Sequence, residues 1–136
     1  MGAESYRSVT KYQEDTEQAL SDLQQQIFAA GEYRYSEDAE AGDIDEAREF
    51  AAEDGTKSVL DIYGISDEPT MAHAALVTDD EARSWFGCTE IDEKDIHKID
   101  DCSDFWTSMD RGEARYLILY KDGKPSQYYF AGLSFD

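Results

Sequence analysis

The sequence predicts a single α+β domain over residues 1–136: an antiparallel or mixed sheet of about four or five strands, ending in a C-terminal β-hairpin and covered by three or four helices. Three observations carry this reading. A capped amphipathic stretch runs from 16 to 30, two strand-like runs flank an Asp-Gly turn between 114 and 131, and hydrophobic residues make up 40% of the chain with 12% aromatic. That apolar content is enough for a packed core, and 136 residues is the length of one ordinary domain.

Taken in order, "SYRSVTKY" (5–12) has the β-branched and aromatic alternation of a strand, placed at a sheet edge. Asp15 and Gln18 have capping-box spacing, and Leu20, Leu23, Ile27 and Phe28 recur at helical intervals until Gly31. Asp43 and Glu46 repeat that spacing ahead of Ile44, Ala47, Phe50 and Ala51, so a second helix starts at 43 and ends before Gly55, while 36–42 reads as a solvated loop after "EYRY".

"TKSVLDIYGI" (56–65) and "MAHAALV" (71–77), separated by the turn signal "SDEP", read as two strands that pair as neighbours. Thr78 and Glu81 cap a short helix through Phe86, closed by Gly87. Residues 92–110 read as one longer helix with Ile99, Cys102, Trp106 and Met109 inward; Glu93, His97, Asp100, Asp101 and Asp104 then project together on the opposite side. In the hairpin, Leu117 and Leu119 point one way and Tyr116, Ile118 and Tyr120 the other. Both faces are therefore apolar, which places it centrally in the sheet.

Thirty-two acidic against twelve basic residues give a net charge of −20. Such a field repels nucleic-acid phosphates and anionic membrane surfaces, so neither is an expected direct partner. Basic proteins are. The excess is concentrated: residues 35–69 hold twelve acids and two bases, 70–113 hold twelve and four, and 114–136 only two and three. Asp45, Glu49 and Glu53 form an i, i+4, i+8 row on one helix edge, where like charges repel by a few tenths of a kcal/mol per pair and a cationic partner would relieve them. The row has about the pitch of the phosphates along a nucleic-acid strand. It therefore fits an immunity protein against a nuclease toxin or an inhibitor that mimics nucleic acid. The candidate partner-binding residues are Asp43, Asp45, Glu46, Glu49 and Glu53, then Glu93, Asp100, Asp101 and Asp104.

Other chemistries fare less well. An EF-hand counted from Asp43 needs an oxygen ligand at its fifth position and Gly at its sixth, where Ala47 and Arg48 stand. His97 with Asp101 and Asp104 is the alternative, a metal-dependent enzyme or hydrolase, set against an exposed histidine paired with neighbouring carboxylates. A further alternative is an acidic housekeeping domain whose charge serves only solubility. The chain has no nucleophile elbow and no glycine-rich phosphate loop, so neither a catalytic residue nor a cofactor is expected. Cys88 and Cys102 match no zinc or redox spacing and read as reduced thiols of a cytoplasmic protein. No export signal and no run of about 18 apolar residues argues for a membrane.

Overall fold

A computed structural model of the chain describes residues 4–31, 42–51 and 55–135. The six strands are β1 (Ser5–Lys11), β2 (Gly64–Ser66), β3 (His73–Leu76), β4 (Ile91–Asp92), β5 (Ala114–Lys121) and β6 (Lys124–Leu133). The helices are α1 (Thr16–Ala30), α2 (Ile44–Ala51), α3 (Asp79–Phe86), α4 (His97–Asp100) and α5 (Ser103–Thr107). The fold is mixed α+β, with one strand more than the sequence predicts.

The sheet runs β1-β6-β5-β3-β2, and β4 also pairs with β5. Its centre is the expected hairpin. Asp122 (φ 54°) and Gly123 (φ 77°) take the two left-handed positions of a two-residue turn, which the Asp-Gly dipeptide tolerates because neither carries a branched Cβ. β1 adds antiparallel to β6 over its whole length, as an edge strand. β3 and β4 both add parallel to the other edge of β5, β3 beside Ala114–Tyr116 and β4 beside Leu119–Tyr120. α3 leaves the sheet between them, and a cavity of about 120 Å³ lined by Leu76, Ala82, Ile91 and Leu117 fills the gap.

Alternation along β5 and β6 sorts the apolar side chains into two cores. Tyr116, Tyr128 and Phe130 meet Leu20 and Leu23 of α1 with Val59 and Ile62 on one face. Leu117, Leu119 and Tyr129 meet Ala82, Ile99, Phe105 and Met109 on the other. Phe105 is fully buried inside a ring of Trp85, Phe86, Trp106 and Tyr129, with centroid distances of 6.2, 6.2, 5.1 and 6.0 Å. Edge-to-face pairs of this kind add about 0.5–1.5 kcal/mol each beyond the area they bury.

The caps follow the sequence with one change. Asp15 accepts from the Gln18 amide N–H at 3.1 Å, and Gly31 closes α1 in the left-handed region. The Gln18 side chain, however, donates to Asp22 instead of returning to the cap. Thr78 and Glu81 form the complete box at α3. At α2, Asp43 Oδ1 accepts from the Glu46 N–H at 2.9 Å and Glu46 from the Gly42 N–H at 2.8 Å. Ala47 is fully buried. The side chains of Phe50 and Ala51, Glu53, the "EYRY" segment and nearly all of the 36–42 loop lie outside the described residues.

Two expectations are overturned. Residues 56–65 are not one strand: Val59–Asp61 form a 3₁₀ turn capped by Ser58, whose hydroxyl accepts from the Leu60 N–H, and only Gly64–Ser66 reach the sheet, parallel to β3. The polar side chains of Thr56, Ser58 and Asp61 fold inward and organise the backbone locally, which strand propensity does not weigh. Nor are residues 92–110 one helix. Ile91–Asp92 pair with β5, Glu93–Asp95 form a 3₁₀ turn capped by Asp92, and the helix breaks at Cys102, whose backbone is extended. The Trp106 indole N–H takes the Asp100 carbonyl at 3.0 Å, the acceptor that a continuous helix would give to the Asp104 N–H. The apolar positions still face inward, but the acids no longer share one helical face.

One buried charge joins the layers. Arg115, 2% exposed, projects from β5 and donates to the Ala75 and Leu76 carbonyls at 3.2 Å each and to both carboxylate oxygens of Glu81. Its guanidinium also lies 5.6 Å from the Trp85 ring. Burial works to raise the Glu81 carboxyl, but hydrogen bonds from Arg115 and Thr78 and the guanidinium charge together hold it below the usual carboxylate range.

Strand packing also fixes Gly132, opposite Tyr6 in the β1–β6 ladder. A Cβ there would fall inside van der Waals contact of the Tyr6 hydroxyl and 3.0 Å from the Glu113 carbonyl. Gly132→Ala is expected to lower the unfolding free energy by about 1–3 kcal/mol, the usual range for an overpacked core. Adding Tyr6→Phe should recover part of it. Urea unfolding of the single and double variants checks both; a neutral Gly132→Ala would contradict the close approach.

Candidate functional site

The sheet separates the two acidic groups read from the sequence. α2 packs against α1 and the 59–61 turn, on the side of the Tyr116 core, whereas Ile99 of α4 and Phe105 of α5 belong to the opposite core. Glu49 and Asp45 therefore face away from Asp101 and Asp104, with a covered sheet between them.

On the α2 side, Arg48 holds the geometry. Its Nε donates to the Leu60 carbonyl at 2.6 Å and its Nη2 to the Ile62 carbonyl at 3.2 Å, pinning the helix to the turn below. The guanidinium lies 4.4 Å from the centroid of Tyr63, which is 56% exposed, and 3.6 Å from the exposed Asp45 carboxylate. Asp45, Arg48, Glu49 and Tyr63 line an open depression. Asp43 and Glu46 are exposed, and each accepts a backbone N–H group. Glu49 is exposed beside them, and Glu53 lies outside the described residues.

On the opposite side, two of the four acids meet cations of the chain itself. Asp100 accepts from the Tyr129 hydroxyl at 2.6 Å and pairs with Arg7 at 3.3 Å. Burial, together with the Asp100 carboxylate it faces, raises the Tyr129 hydroxyl above its ordinary range and keeps it a donor. Glu93 accepts from the Ser126 hydroxyl and lies 3.9 Å from Lys121. Asp101 and Asp104 are exposed. His97 is exposed too, and the break at Cys102 removes the i, i+4, i+7 face that would have set it with Asp101 and Asp104; among the described residues no group of three His, Cys, Asp or Glu side chains is placed to hold a metal ion. Cys88 and Cys102 are free, and the Cys102 thiol donates to the Trp85 carbonyl at 3.7 Å.

Sequence reasoning missed a polar knot below Tyr63. Asp61, 3% exposed, accepts with Oδ1 from the Thr56 N–H and the Thr56 hydroxyl, both at 2.7 Å. The Thr56 hydroxyl also meets the Ser58 hydroxyl at 2.8 Å. Asp61 Oδ2 is buried with no hydrogen-bond partner among the described residues. Its surroundings are tight, since a Cβ on Gly55 would lie 2.8 Å from it. An aspartate amid apolar residues in "SVLDIYG" was the available signal.

Burial raises the Asp61 carboxyl above its ordinary value, against the lowering effect of the Thr56 and Lys57 bonds and the Lys57 charge. The folded state then holds this proton more tightly than the unfolded chain does. Its contribution to stability is fully present below the unfolded value near about 3.9 and is lost as pH rises through the folded one. Relative to Asp61→Asn, which cannot titrate, the wild type is expected to gain stability steadily as pH falls from neutral. Thermal melts of both proteins across that range check the sign. A constant difference would mean that the carboxyl is not desolvated.

No protein-family model matches this chain, and no curated protein and no solved structure matches it.

Proposed function

We propose that this chain is a small acidic binding protein that engages a basic protein partner, in the manner of an immunity protein against a nuclease toxin or an inhibitor that mimics nucleic acid. The supporting observation is the α2 surface. Asp43, Asp45, Glu46 and Glu49 are exposed at the start of and along the helix that Arg48 fixes, beside an exposed aromatic ring, and among the described residues Arg48, at 3.6 Å from Asp45, is the cation that meets them. Acids carried on a helix whose backbone is held in place, next to an exposed aromatic side chain, offer a cationic surface charge and an apolar contact together.

Asp101 and Asp104 form a second, weaker candidate. Their neighbours Glu93 and Asp100 are already committed to Lys121 and Arg7, so a partner arriving there gains less from them. The free thiols fit a reducing compartment such as the cytoplasm. No described helix is long and apolar enough to cross a membrane.

The test is affinity capture of the basic partner at low and moderate salt, followed by titration with charge-reversed variants. Asp45→Lys with Glu49→Lys is expected to weaken binding at least about tenfold and to flatten its salt dependence, whereas Asp101→Lys with Asp104→Lys should change it by less than about threefold. Equal losses on the two sides would contradict the choice of face, and no loss on either would contradict the acidic interface.

A further inference from the structure

We propose that the strip formed by Tyr63, Phe135 and Met71 is the apolar anchor of the acidic surface, and that it takes a basic peptide segment of the partner with one apolar side chain between cationic ones. The inference rests on the reading above and adds the chemistry of what docks.

Among the described residues the exposed large hydrophobic side chains are Tyr63, Met71 and Leu76, and the first two converge on one place. The Tyr63 and Phe135 rings meet edge-on at 6.4 Å. Phe135 and Met71 both come within 3.0 Å of the position a Cβ would take on Gly112, so the strip is continuous from Arg48 to Met71.

The backbone beneath it is held out of its easiest conformations. Ala72 (φ 65°) and Gly112 (φ 79°) are left-handed, and two hydrogen bonds of 2.6 Å, Tyr63 N–H to Ala72 and Ala72 N–H to Gly112, tie the three segments together. A non-glycine residue in that region costs of order 1 kcal/mol and persists only where its surroundings impose it. Here it presents Met71 outward at 62% exposure.

Charge selects the occupant. Asp45 and Glu49 line the depression at Tyr63 on the α2 side, and Asp67 and Glu68 are exposed in the loop that leads to Met71. Of the bases near the strip, Arg48 spends donors on the Leu60 and Ile62 carbonyls and Lys57 donates to the Ser134 hydroxyl beside Phe135, while Arg111 adjoins Gly112. A second copy of this chain would bring a further −20 to the contact and is disfavoured, as are nucleic acid and anionic lipid. A cationic segment with an apolar side chain satisfies both the strip and its rim, and tyrosine, methionine and arginine are the residue types enriched where such contacts form.

The experiment titrates the full chain with two lysine-rich peptides that differ only in a central leucine or alanine, using fluorescence anisotropy at low salt. Wild type should bind the leucine peptide at least about fivefold more tightly, the value of burying about one methylene of the leucine side chain. In Tyr63→Ser with Met71→Ser, two surface changes whose folding is checked by circular dichroism, that preference should vanish while the salt dependence persists. Equal affinity of wild type for the two peptides, or a leucine preference that survives both substitutions, overturns the anchor and leaves the acidic surface standing. Failure of both peptides to bind overturns the acidic-surface reading together with it.

Discussion

The constraint on which the structure depends is that its central hairpin is apolar on both faces. Tyr116 and Ile118 of β5 look one way and Leu117 and Leu119 the other, and β6 repeats the pattern with Tyr128 and Phe130 against Tyr129 and Ala131. Each face has to be covered, so the helices divide between them and carry their acids outward on opposite sides. Charge that is nearly continuous along the sequence thereby becomes two separate surfaces. Arg115 is the exception within β5, and its donors are taken by Glu81, two carbonyls and the Ser108 hydroxyl. Removing Glu81 would leave the Arg115 charge buried without its carboxylate, whereas Glu81, partly exposed, would remain solvated without Arg115. This bond ties α3 to β5, alongside the packing of Ala82, Trp85 and Phe86 in the core.

Much of the fold was legible because its signals are local. Asp15, Gly31, Thr78, Glu81, Gly87, Asp122 and Gly123 act within a few residues of themselves, and each sits where its spacing places it. What was not legible depends on distant partners. The helix expected over 92–110 breaks because Ile91 and Asp92 find β5 and the Trp106 indole takes the Asp100 carbonyl, contacts that no periodicity encodes. The 56–65 run is β-rich in composition, yet Thr56, Ser58 and Asp61 bond one another and turn it inward.

The candidate site was legible in its charge and not in its shape. Asp45 and Glu49 follow from helical spacing, whereas Arg48 entered the sequence reading only as the residue that an EF-hand count from Asp43 places where Gly is needed. Its targets, the Leu60 and Ile62 carbonyls and the Tyr63 ring, are supplied by a turn that the sequence presents as a strand. The distinction between the two acidic surfaces is likewise tertiary. Asp43 and Glu46 accept backbone N–H groups, and Asp45 meets Arg48, whereas Asp100 and Glu93 face Arg7 and Lys121.

That the α2 side is the working surface is the central claim, and a chemical-shift map made with isotope-labelled protein and its basic partner, or a lysine-rich peptide in its place, tests it most directly. The account expects the perturbed amides to cluster at 43–49, 63 and 67–72 and to leave 97–104 unmoved. Perturbations centred on 97–104, or spread equally over both sides of the sheet, would contradict it.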